Sequence, residues 1–549
     1  MCGILCSITN AESNTTCSCI DQSDFFLHNR GPDLHDITQV LLNKWNVSLL
    51  GYVLWLQGKN PVNQPVHEND QYMLFNGDIF GGELIQDETR LNEGDTLPLF
   101  NALIKSQSIL SSLKQLNGPY AIVYLDKNKL YFARDHYGRR SLLISNHNNH
   151  LVISSVLKRN LNYKCIEIPP IGLFHIDLDQ DSLEINVEPW NIPSNLIQKA
   201  IQEMEQLNLK INVNYDNYVP LTILHKELDS QLSMLDVLLN NTKEESFEKL
   251  LNDIYWQTRV IKLKDLLQEA VHIRVITQPK HCKNTIGILF SGGLDCTILA
   301  VLAHKCLPLS TEIHLFNVAF EKNNVNNFDT PDRKTAIESL KELSSIYPER
   351  KWKFFEINIL QTELQEQCSK HITHLINPLS SILDDSLGCA VWFASRGCSE
   401  EEKSPCRLLL VGMGADELFG GYTRHRNAFR RGGWIRLSEE LANDWNNLPH
   451  RNLARDDRVI SDHSRQTRTP YLDESVVKYV SSLPTWDKCY LSDKLPSGVG
   501  DKLLLRLLAY HLGLRNVPFF PKRALQFGSR IANSKENAKD ISYRLQNFV

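Results

Sequence analysis

The stretch from Thr285 to Cys296 constrains the fold of this chain more than any other. Its first half is a short apolar run with β-branched residues, which predicts a buried strand. Ser291-Gly292-Gly293 then turns the chain, and apolar residues at helical spacing follow over 294–307. A strand, a glycine turn and a helix N-terminus form an anion site, because free N–H groups and the helix dipole point at the ligand. The stretch therefore predicts a phosphate-binding loop.

Asp295 is the unexpected residue of this loop, because a carboxylate repels phosphate. It fits the site if it holds Mg²⁺, which bridges carboxylate and phosphate oxygens. Asp416 follows a second predicted strand and a second glycine-rich turn, within residues 408–422. Because parallel strands bring their carboxyl ends to one edge of a sheet, we predict that Asp295 and Asp416 share a magnesium ion there. An ordinary strand-to-helix turn and a solvated loop acid are the alternatives.

Two patterns of secondary structure divide the chain. Residues 1–185 show short alternating strands with two helical segments, which indicates an α+β domain built on antiparallel sheets. Residues 276–549 alternate strands and helices before a helical last third, which specifies an α/β domain with a parallel sheet. Residues 186–275 are rich in Asn, Gln, Glu, Lys and Leu, and we interpret them as a helical or partly disordered linker.

The predicted elements are short. In the first domain, strands are expected at 49–56, 71–80, 120–125, 129–133, 150–156 and 172–177, with helices at 96–105 and 109–116. In the linker, helices are expected at 199–207, 228–239 and 245–271. In the second domain, strands are expected at 285–290, 311–320, 352–359 and 407–411, with helices at 294–307, 332–346, 361–376 and 381–396.

The composition limits the classes of partner that the chain is expected to bind. The chain has 549 residues, a net charge of −5 and no basic excess, so we expect small polar substrates and neither nucleic acid nor a membrane as partners. No apolar run is long enough to span a bilayer, and the N-terminus lacks the basic start of a signal peptide. Thirteen cysteines without framework spacing favour reduced thiols and a cytoplasmic location.

Cys2 is the candidate nucleophile of the first domain. If Met1 is removed, the α-amine of Cys2 lies beside its own thiol and can take the thiol proton. Four turn-forming strings follow along the chain, and each could be only a turn. These strings are Arg-Gly-Pro-Asp at 30–33, Phe-Asn-Gly-Asp-Ile-Phe at 75–80, Gly-Asp-Thr at 94–96 and Arg-Asp-His-Tyr-Gly at 134–138.

In this order after Met-Cys-Gly-Ile, the four strings resemble those of the class II glutamine amidotransferases. That resemblance implies an N-terminal-nucleophile hydrolase fold, in which two stacked antiparallel sheets lie between helices. It also implies that Cys2 attacks glutamine, and that the Asn76 side chain and the Gly77 N–H form the oxyanion hole. Asp95 would hold the α-ammonium group of glutamine, and Asp78 is a further expected glutamine-binding residue.

The glycine loop of the second domain is not the GxxxxGK(S/T) loop of kinases, because no lysine follows its glycines. It resembles instead the pyrophosphate loop of the ATP pyrophosphatases. Together with the first-domain motifs, the strings VGMGADELFGGY, RNLARDDR, RTPYLD and PKRA resemble the glutamine-hydrolysing asparagine synthetase family along nearly the whole chain. By motif position, the resemblance implies an ATP site formed by Ser291, Gly292, Gly293, Asp295, Val318 and Gly412. Lys522 would stabilise the charge that develops on the α-phosphoryl group.

The reaction implied by the resemblance has three parts. Ammonia is released from glutamine at Cys2, a carboxylate is adenylated by ATP, and ammonia displaces AMP away from water. The implied cofactors are ATP and Mg²⁺, and the implied substrates are glutamine and aspartate or another carboxylate. A homodimer is a candidate assembly that the sequence leaves open.

Three positions depart from the family pattern. Leu54 replaces the arginine that would clamp the glutamine carboxylate, a loss of about 1.5–3 kcal/mol or ten- to a hundredfold in binding. Met413 replaces a glutamate that is the expected base or substrate anchor. Cys296 replaces a serine after the phosphate loop, which is a milder change. Three hypotheses therefore stay open: an enzyme of the asparagine synthetase type, a degenerate scaffold that retains nucleotide binding, and a ligase that adenylates a different carboxylate.

Overall fold

In this computed structural model, the described residues are 2–12, 18–84, 92–147, 150–160, 164–216, 235–279, 282, 285–321, 327–532, 537 and 539–548. Their strands are β1 (Gly3–Asn10), β2 (Leu34–Leu42), β3 (Trp45–Val53), β4 (Val66–Glu68), β5 (Gln71–Gly77), β6 (Gly81–Gly82), β7 (Leu116–Asn117), β8 (Tyr120–Asp126), β9 (Lys129–Arg134), β10 (Leu143–His147), β11 (His150–Ser154), β12 (Cys165–Glu167), β13 (Gly172–Asp177), β14 (Glu184–Pro189), β15 (Lys210–Val213), β16 (Thr285–Leu289), β17 (Glu312–Phe320), β18 (Trp352–Ile359), β19 (Leu408–Leu410) and β20 (Gln466–Arg468).

Their α-helices are α1 (Ser18–Arg30), α2 (Thr96–Ile104), α3 (Ile109–Lys114), α4 (Ser194–Glu205), α5 (Val237–Asn240), α6 (Lys243–Asn252), α7 (Ile254–Ile276), α8 (Leu294–Cys306), α9 (Pro331–Ile346), α10 (Gln361–Gln367), α11 (Thr373–Leu375), α12 (Ile382–Arg396), α13 (Ala415–Phe419), α14 (Thr423–Arg451), α15 (Leu453–Ser461), α16 (Glu474–Ser482), α17 (Thr485–Lys488), α18 (Leu503–His511) and α19 (Leu525–Gly528). Helix α14 is kinked at Gly432–Gly433. Within the described part of the chain, none of the helices is long and apolar enough to cross a lipid bilayer.

The N-terminal part consists of two stacked sheets. One has six strands in the order β12-β10-β11-β1-β3-β2, and the other has seven in the order β15-β14-β13-β9-β8-β5-β4. Side chains alternate between the two faces of a strand. Ile4 and Ile8 of β1 therefore share a buried core with Val123 and Leu125 of β8 on the opposite sheet. This arrangement confirms the predicted N-terminal-nucleophile fold.

Helices and the second half of the chain cover the outer faces of these sheets. Leu99 and Leu103 of α2 pack on the outer face of the seven-stranded sheet. On the six-stranded sheet, Leu5 shares a core with Leu27 of α1 and with Trp392 of α12. The first sheet is therefore packed directly against the second half of the chain.

The C-terminal part is built on a five-stranded sheet in the order β18-β17-β16-β19-β20. Every adjacent pair of strands is parallel, as predicted. Both faces are buried, because Ile288 belongs to the core on one side of the sheet and Leu409 to the core on the other. β16 and β19 are neighbours, so the loops after them leave the same edge of the sheet.

The described part of the predicted linker is built into both halves. β14 and β15 extend the seven-stranded sheet, and α7 packs on the C-terminal part through Leu263 and Leu267. The helix predicted over 245–271 is two helices, because Asp253 has extended backbone angles and its side chain caps α7. Most of the helix predicted over 228–239 lies outside the described residues. The division of the chain into domains at 185 and 275 stays a prediction.

Candidate active sites

Cys2 lies at the start of β1, next to the end of β5 on the facing sheet. The Cys2 backbone N–H donates to Asn76 Oδ1 at 3.0 Å, and Gln64 Nε2 lies 3.6 Å from Cys2 Sγ. Burial raises the pKa of the Cys2 thiol, although the backbone N–H of Leu54 donates to its sulfur and lowers it. The thiol is therefore protonated at neutral pH and needs a base before it can act as a nucleophile. The contact with Gln64 was not predicted, because it depends on two chain segments that meet only in the fold.

The Asn76 side chain offers a fixed donor beside Cys2. Its Oδ1 is held by the Cys2 N–H, while its Nδ2 is buried and has no hydrogen-bond partner among the described residues. A buried donor that is oriented but unpaired is what an oxyanion hole requires. Gly77 follows, and a Cβ at this position would lie 2.6 Å from the Pro119 carbonyl oxygen. The site thus leaves no room for a side chain at Gly77.

The two predicted glutamine-binding carboxylates have different surroundings. Asp78 accepts hydrogen bonds from Arg140, Arg468 and Gln57, so both of its oxygens are occupied. Asp95 has no cationic partner among the described residues, and burial together with the charge of Asp78 raises its pKa to about 7. A buried acid of this kind is suited to a ligand ammonium group, which would favour its charged form. The glutamine-binding roles of Asp78 and Asp95 stay predictions.

A second cavity lies at the carboxyl ends of β16 and β19 and has a volume of about 530 Å³. The predicted ATP-site residues that line it are Ser291, Gly293, Asp295, Val318, Gly412, Asp416 and Lys522. Gly292 supports the loop from behind, since its φ is +74° and a Cβ there would lie 2.3 Å from the Ala336 backbone. The residues that were predicted to bind ATP are therefore brought together around one cleft.

Lys502 joins the two predicted metal ligands. Its Nζ lies 2.5 Å from Asp295 Oδ2 and 2.7 Å from Asp416 Oδ1. On the other side of Asp416, Lys522 Nζ lies 3.0 Å from Oδ2. The role of Lys502 was missed, because an Asp-Lys pair before an apolar helix carries no signal for a site.

The charges around Asp295 and Asp416 shift the pKa values of these two acids in opposite directions. Burial acts to raise the pKa of Asp416, but the ammonium groups of Lys502 and Lys522 outweigh it and hold this pKa well below its usual range. For Asp295, burial dominates over Lys502, and the neighbouring Asp416 adds to it, so the pKa is raised. Of the two acids, Asp295 is therefore the one whose charged form a further cation in the cleft would stabilise more.

The carboxylates fit the magnesium ion that was predicted. Asp295 Oδ1 is buried and has no hydrogen-bond partner among the described residues. An unpaired buried carboxylate oxygen is costly, and oxygen ligands of this type are those that Mg²⁺ prefers. Asp295 and Asp416 would hold the ion, Asp295 through its unpaired oxygen, while both oxygens of Asp416 also contact a lysine.

Comparison with known proteins shows the family to which the chain belongs. The model of the family described as "Asparagine synthase" matches residues 262–445 and 430–512, and that of "Glutamine amidotransferase domain" matches residues 54–162. The asparagine synthetase domain-containing protein CG17486 of Drosophila melanogaster is 38% identical, and the match covers 99% of this chain and 100% of that protein. The chain belongs to the asparagine synthetase family.

Other relatives within the asparagine synthetase family also match nearly the whole chain, at lower identity. The human asparagine synthetase domain-containing protein 1 is 34% identical over 100% of this chain and 98% of its own length. The asparagine synthetase domain-containing protein YML096W of Saccharomyces cerevisiae is 29% identical over 94% of this chain and 90% of its own length. Membership of the family implies a ligase-like chain with an amidotransferase domain and an ATP-using synthetase domain.

Two of the three departures from the asparagine synthetase pattern, Leu54 and Met413, each line one of the sites. Leu54 lines the cavity beside Cys2 and Asp95, and none of the described residues that line this cavity is a lysine or an arginine. Met413 lines the second cavity, at the carboxyl ends of β16 and β19, which we call the nucleotide cleft. Its side chain packs against Leu448 and Leu472. The wall that would meet the acceptor is therefore apolar at the position where the family has a glutamate.

Proposed function

We propose that the chain is a glutamine-dependent ligase of the asparagine synthetase type, which converts aspartate, glutamine and ATP to asparagine, glutamate, AMP and pyrophosphate. The observation that carries this proposal is the convergence of Asp295 and Asp416 on Lys502 at two neighbouring strand ends. Carboxylates and ammonium groups placed together beside a glycine loop can hold the pyrophosphate part of ATP while its α-phosphorus is attacked.

At the amidotransferase site, the Cys2 thiol attacks the side-chain amide carbon of glutamine. With Met1 removed, the Cys2 α-amine takes the thiol proton and passes it to the departing ammonia. Asn76 Nδ2 donates to the amide oxygen as negative charge develops on it. Ammonia leaves a thioester on Cys2, and water hydrolyses this thioester to glutamate and the free thiol.

At the synthetase site, a carboxylate oxygen of the acceptor attacks the α-phosphorus of ATP and pyrophosphate leaves. Lys522 would stabilise the charge on the equatorial phosphoryl oxygens, and the Ser291–Gly293 loop would hold the leaving pyrophosphate. When bound, Mg²⁺ supplies neutralising charge to the phosphate oxygens. Ammonia then attacks the acyl carbon of the adenylate, and AMP is released with formation of the amide.

A second candidate is a ligase that adenylates a carboxylate other than aspartate. Met413 favours it, because a thioether in the wall of the cleft neither binds an ammonium group nor acts as a base. Met413 contributes apolar surface instead, which suits an acceptor without a charged group at that position. Both candidates use the same nucleotide cleft and differ in the acceptor.

The test is a steady-state assay of the purified protein with ATP, Mg²⁺, glutamine and aspartate, in which ammonia, AMP, pyrophosphate and asparagine are followed separately. Formation of asparagine with AMP supports the first candidate. Release of pyrophosphate with another carboxylate but not with aspartate supports the second. If neither pyrophosphate release nor ATP binding is detected with any acceptor, the chain is a scaffold and both candidates fail. The mass of the N-terminus should be measured first, since retained Met1 deprives Cys2 of its base.

A further inference from the structure

The two active sites are connected by one buried helix, α15 (Leu453–Ser461). Four consecutive residues of this helix are charged and buried, namely Arg455, Asp456, Asp457 and Arg458. In an α-helix, residues two positions apart point to roughly opposite sides, since one turn takes about 3.6 residues. Burial of four charges in succession therefore means that charged partners surround the helix.

One side of α15 borders the nucleotide cleft. Arg455 and Asp456 line that cleft. Arg455 donates to Asp456 at 2.9 Å and to Asp384 at the start of α12 at 2.8 Å. Any ligand that fills the cleft therefore lies against a part of α15 whose charged side chains are already held in place by ion pairs.

The other side of α15 contacts the amidotransferase site through Asp457. Arg30 donates to Asp457 Oδ2 at 2.8 Å, and the same guanidinium group donates to the Cys2 carbonyl oxygen at 3.4 Å. Arg140 donates to Asp457 Oδ1 at 3.2 Å and to Asp78 Oδ2 at 2.8 Å. Asp78 directly follows the Asn76-Gly77 turn. A single carboxylate thus fixes one arginine that contacts the nucleophile and another that contacts the residue after the oxyanion turn.

Asp457 is charged in this setting. Burial acts to raise its pKa, but Arg30 and Arg140 outweigh burial and hold the pKa below its usual range. Removal of this buried charge would leave Arg30 without a counter-charge and Arg140 with Asp78 as its remaining one. The positions of Arg30 and Arg140 therefore depend on where α15 lies.

We propose that Asp457 is a positioning residue that sets the geometry of Cys2 and of the oxyanion turn according to the state of the nucleotide cleft. This inference rests on the proposed function for its two sites, but it does not require amide formation. The change is transmitted by movement of α15, and neither Arg30 nor Arg140 takes part in the chemistry.

The test uses Cys2 reactivity as a readout. Full-length wild type, Asp457→Asn and Glu474→Gln are treated with iodoacetamide with and without Mg·ATP, and alkylation of the Cys2 peptide is followed by mass spectrometry. Glu474 is the matched control, because it accepts from Arg139 at 2.6 Å and from the Gly118 N–H at 2.9 Å across the same interface, and no hydrogen bond among the described residues joins it to Cys2 or Asp78. ATP affinity is measured separately by calorimetry.

We expect Mg·ATP to change the Cys2 alkylation rate of wild type by about fivefold or more, the lower end of typical coupling between sites. In Asp457→Asn the response should disappear while ATP affinity is kept, and the basal rate should differ from wild type. Glu474→Gln should behave like wild type. Ser461→Ala removes the 2.5 Å hydrogen bond from Arg30, together with the bonds that the Ser461 hydroxyl donates to the Asp457 and Arg458 carbonyl oxygens, and should reduce the response without loss of folding.

The outcomes separate this inference from the proposed function. If ATP binds but Asp457→Asn responds like wild type, or wild type does not respond, the inference is wrong whatever the enzyme makes. If ATP does not bind, the proposed function fails, and the inference fails with it, because Cys2 then has no nucleotide to respond to. If Cys2 responds to ATP through Asp457 but no amide is formed, the inference stands and the proposed function does not.

Discussion

Lys502 Nζ lies 2.5 Å from Asp295 Oδ2, although the two residues are 207 positions apart in the chain. The ammonium group also contacts Asp416, so one buried cation holds both acidic strand ends of the parallel sheet. This contact lets two carboxylates approach each other before any ligand arrives. Five predictions follow from it and from the surroundings of Cys2.

Replacement of Lys502 by methionine keeps most of the length of the unbranched side chain and removes its charge. We expect a loss of stability on the order of 3 kcal/mol at pH 8, because two buried carboxylates lose a shared partner. Without the lysine, the folded-state pKa of Asp295, which is already raised, rises further, while that of Asp416 is held down by Lys522 alone. The folded variant then binds more protons than the unfolded chain, so its stability should fall as the pH rises above about 4.

Urea unfolding at pH 5 and pH 8 checks this expectation. Lys370→Met is the matched control, because Lys370 pairs with Glu366 at 2.9 Å on an exposed helix surface. An exposed pair of this kind contributes only about 0.3–0.5 kcal/mol. Equal losses for the two variants, or a loss for Lys502→Met that does not depend on pH, would contradict the assignment of Lys502.

Replacement of Asp295 by alanine should remove binding of Mg·ATP. Mutation of residues that only orient metal ligands costs about ten- to a hundredfold in affinity, so we expect removal of the ligand itself to cost more. In the presence of a chelator the difference should vanish or reverse, because a carboxylate repels ATP that carries no metal. Calorimetry with and without Mg²⁺ measures both effects. An unchanged affinity for Mg·ATP removes Asp295 from the site.

Replacement of Leu54 by arginine should improve glutamine binding. The cavity beside Cys2 has no lysine or arginine among its described residues, and a guanidinium group there could form a bidentate contact with the glutamine carboxylate. We expect the KM for glutamine to fall by about ten- to a hundredfold. Leu54→Lys should give a smaller gain, since an ammonium group lacks the fork geometry, and Leu54→Met should give none. A KM that all three folded variants leave unchanged would show that Leu54 does not face the carboxylate.

Glutamine binding should strengthen as the pH rises from 6 to 8. The pKa of Asp95 is raised to about 7 by burial and by Asp78, so its carboxyl group is mostly neutral at pH 6 and mostly charged at pH 8. Only the charged form attracts the α-ammonium group of glutamine. Calorimetric titrations of the inactive Cys2→Ala variant should show this dependence, and Cys2→Ala combined with Asp95→Asn should bind weakly at every pH. Binding that is independent of pH in Cys2→Ala would argue against Asp95 as the ammonium ligand.

The alternation of strands and helices was enough to predict the parallel sheet and the meeting of Asp295 with Asp416. Neighbouring parallel strands must present their carboxyl ends together, and this rule needs no knowledge of side chains. β2 was missed, because it is an edge strand whose residues are all exposed or half-exposed, and its sequence shows no clear alternation of apolar and polar residues. Most of β14 and all of β15 were taken as part of a linker, because this region is rich in Asn, Gln, Glu and Lys, although β14 pairs with the preceding strand β13 and, in parallel, with β15.

The parts of the sites that escaped prediction are contacts between distant segments. Lys502 lies in the last seventh of the chain and contacts Asp295 beside the phosphate loop. Gln64 lies in the segment between β3 and β4 and contacts Cys2. Neither residue stands in a local pattern that indicates chemistry. Motifs that combine turn residues with a reactive side chain, as at Asn76 and Asp416, were found because the turn itself can be recognised.

Gly421 explains how the acidic pair and Lys502 fit together, and its replacement by alanine gives the last prediction. A Cβ at this position would lie 1.9 Å from Asp416 Oδ1 and 2.4 Å from Lys502 Cε. The backbone of Gly421 does not have a positive φ, so alanine is excluded by contact rather than by backbone strain. We expect Gly421→Ala to fold but to separate Asp416 from Lys502, and so to weaken Mg·ATP binding by about tenfold or more, as do changes that misplace metal ligands. Gly81→Ala is the control, because a Cβ there meets Asn117 only at an ordinary 3.8 Å and lies far from the nucleotide cleft in the chain. If calorimetry gives both variants the wild-type affinity, the contact between Lys502 and Asp416 is not needed to bind the nucleotide.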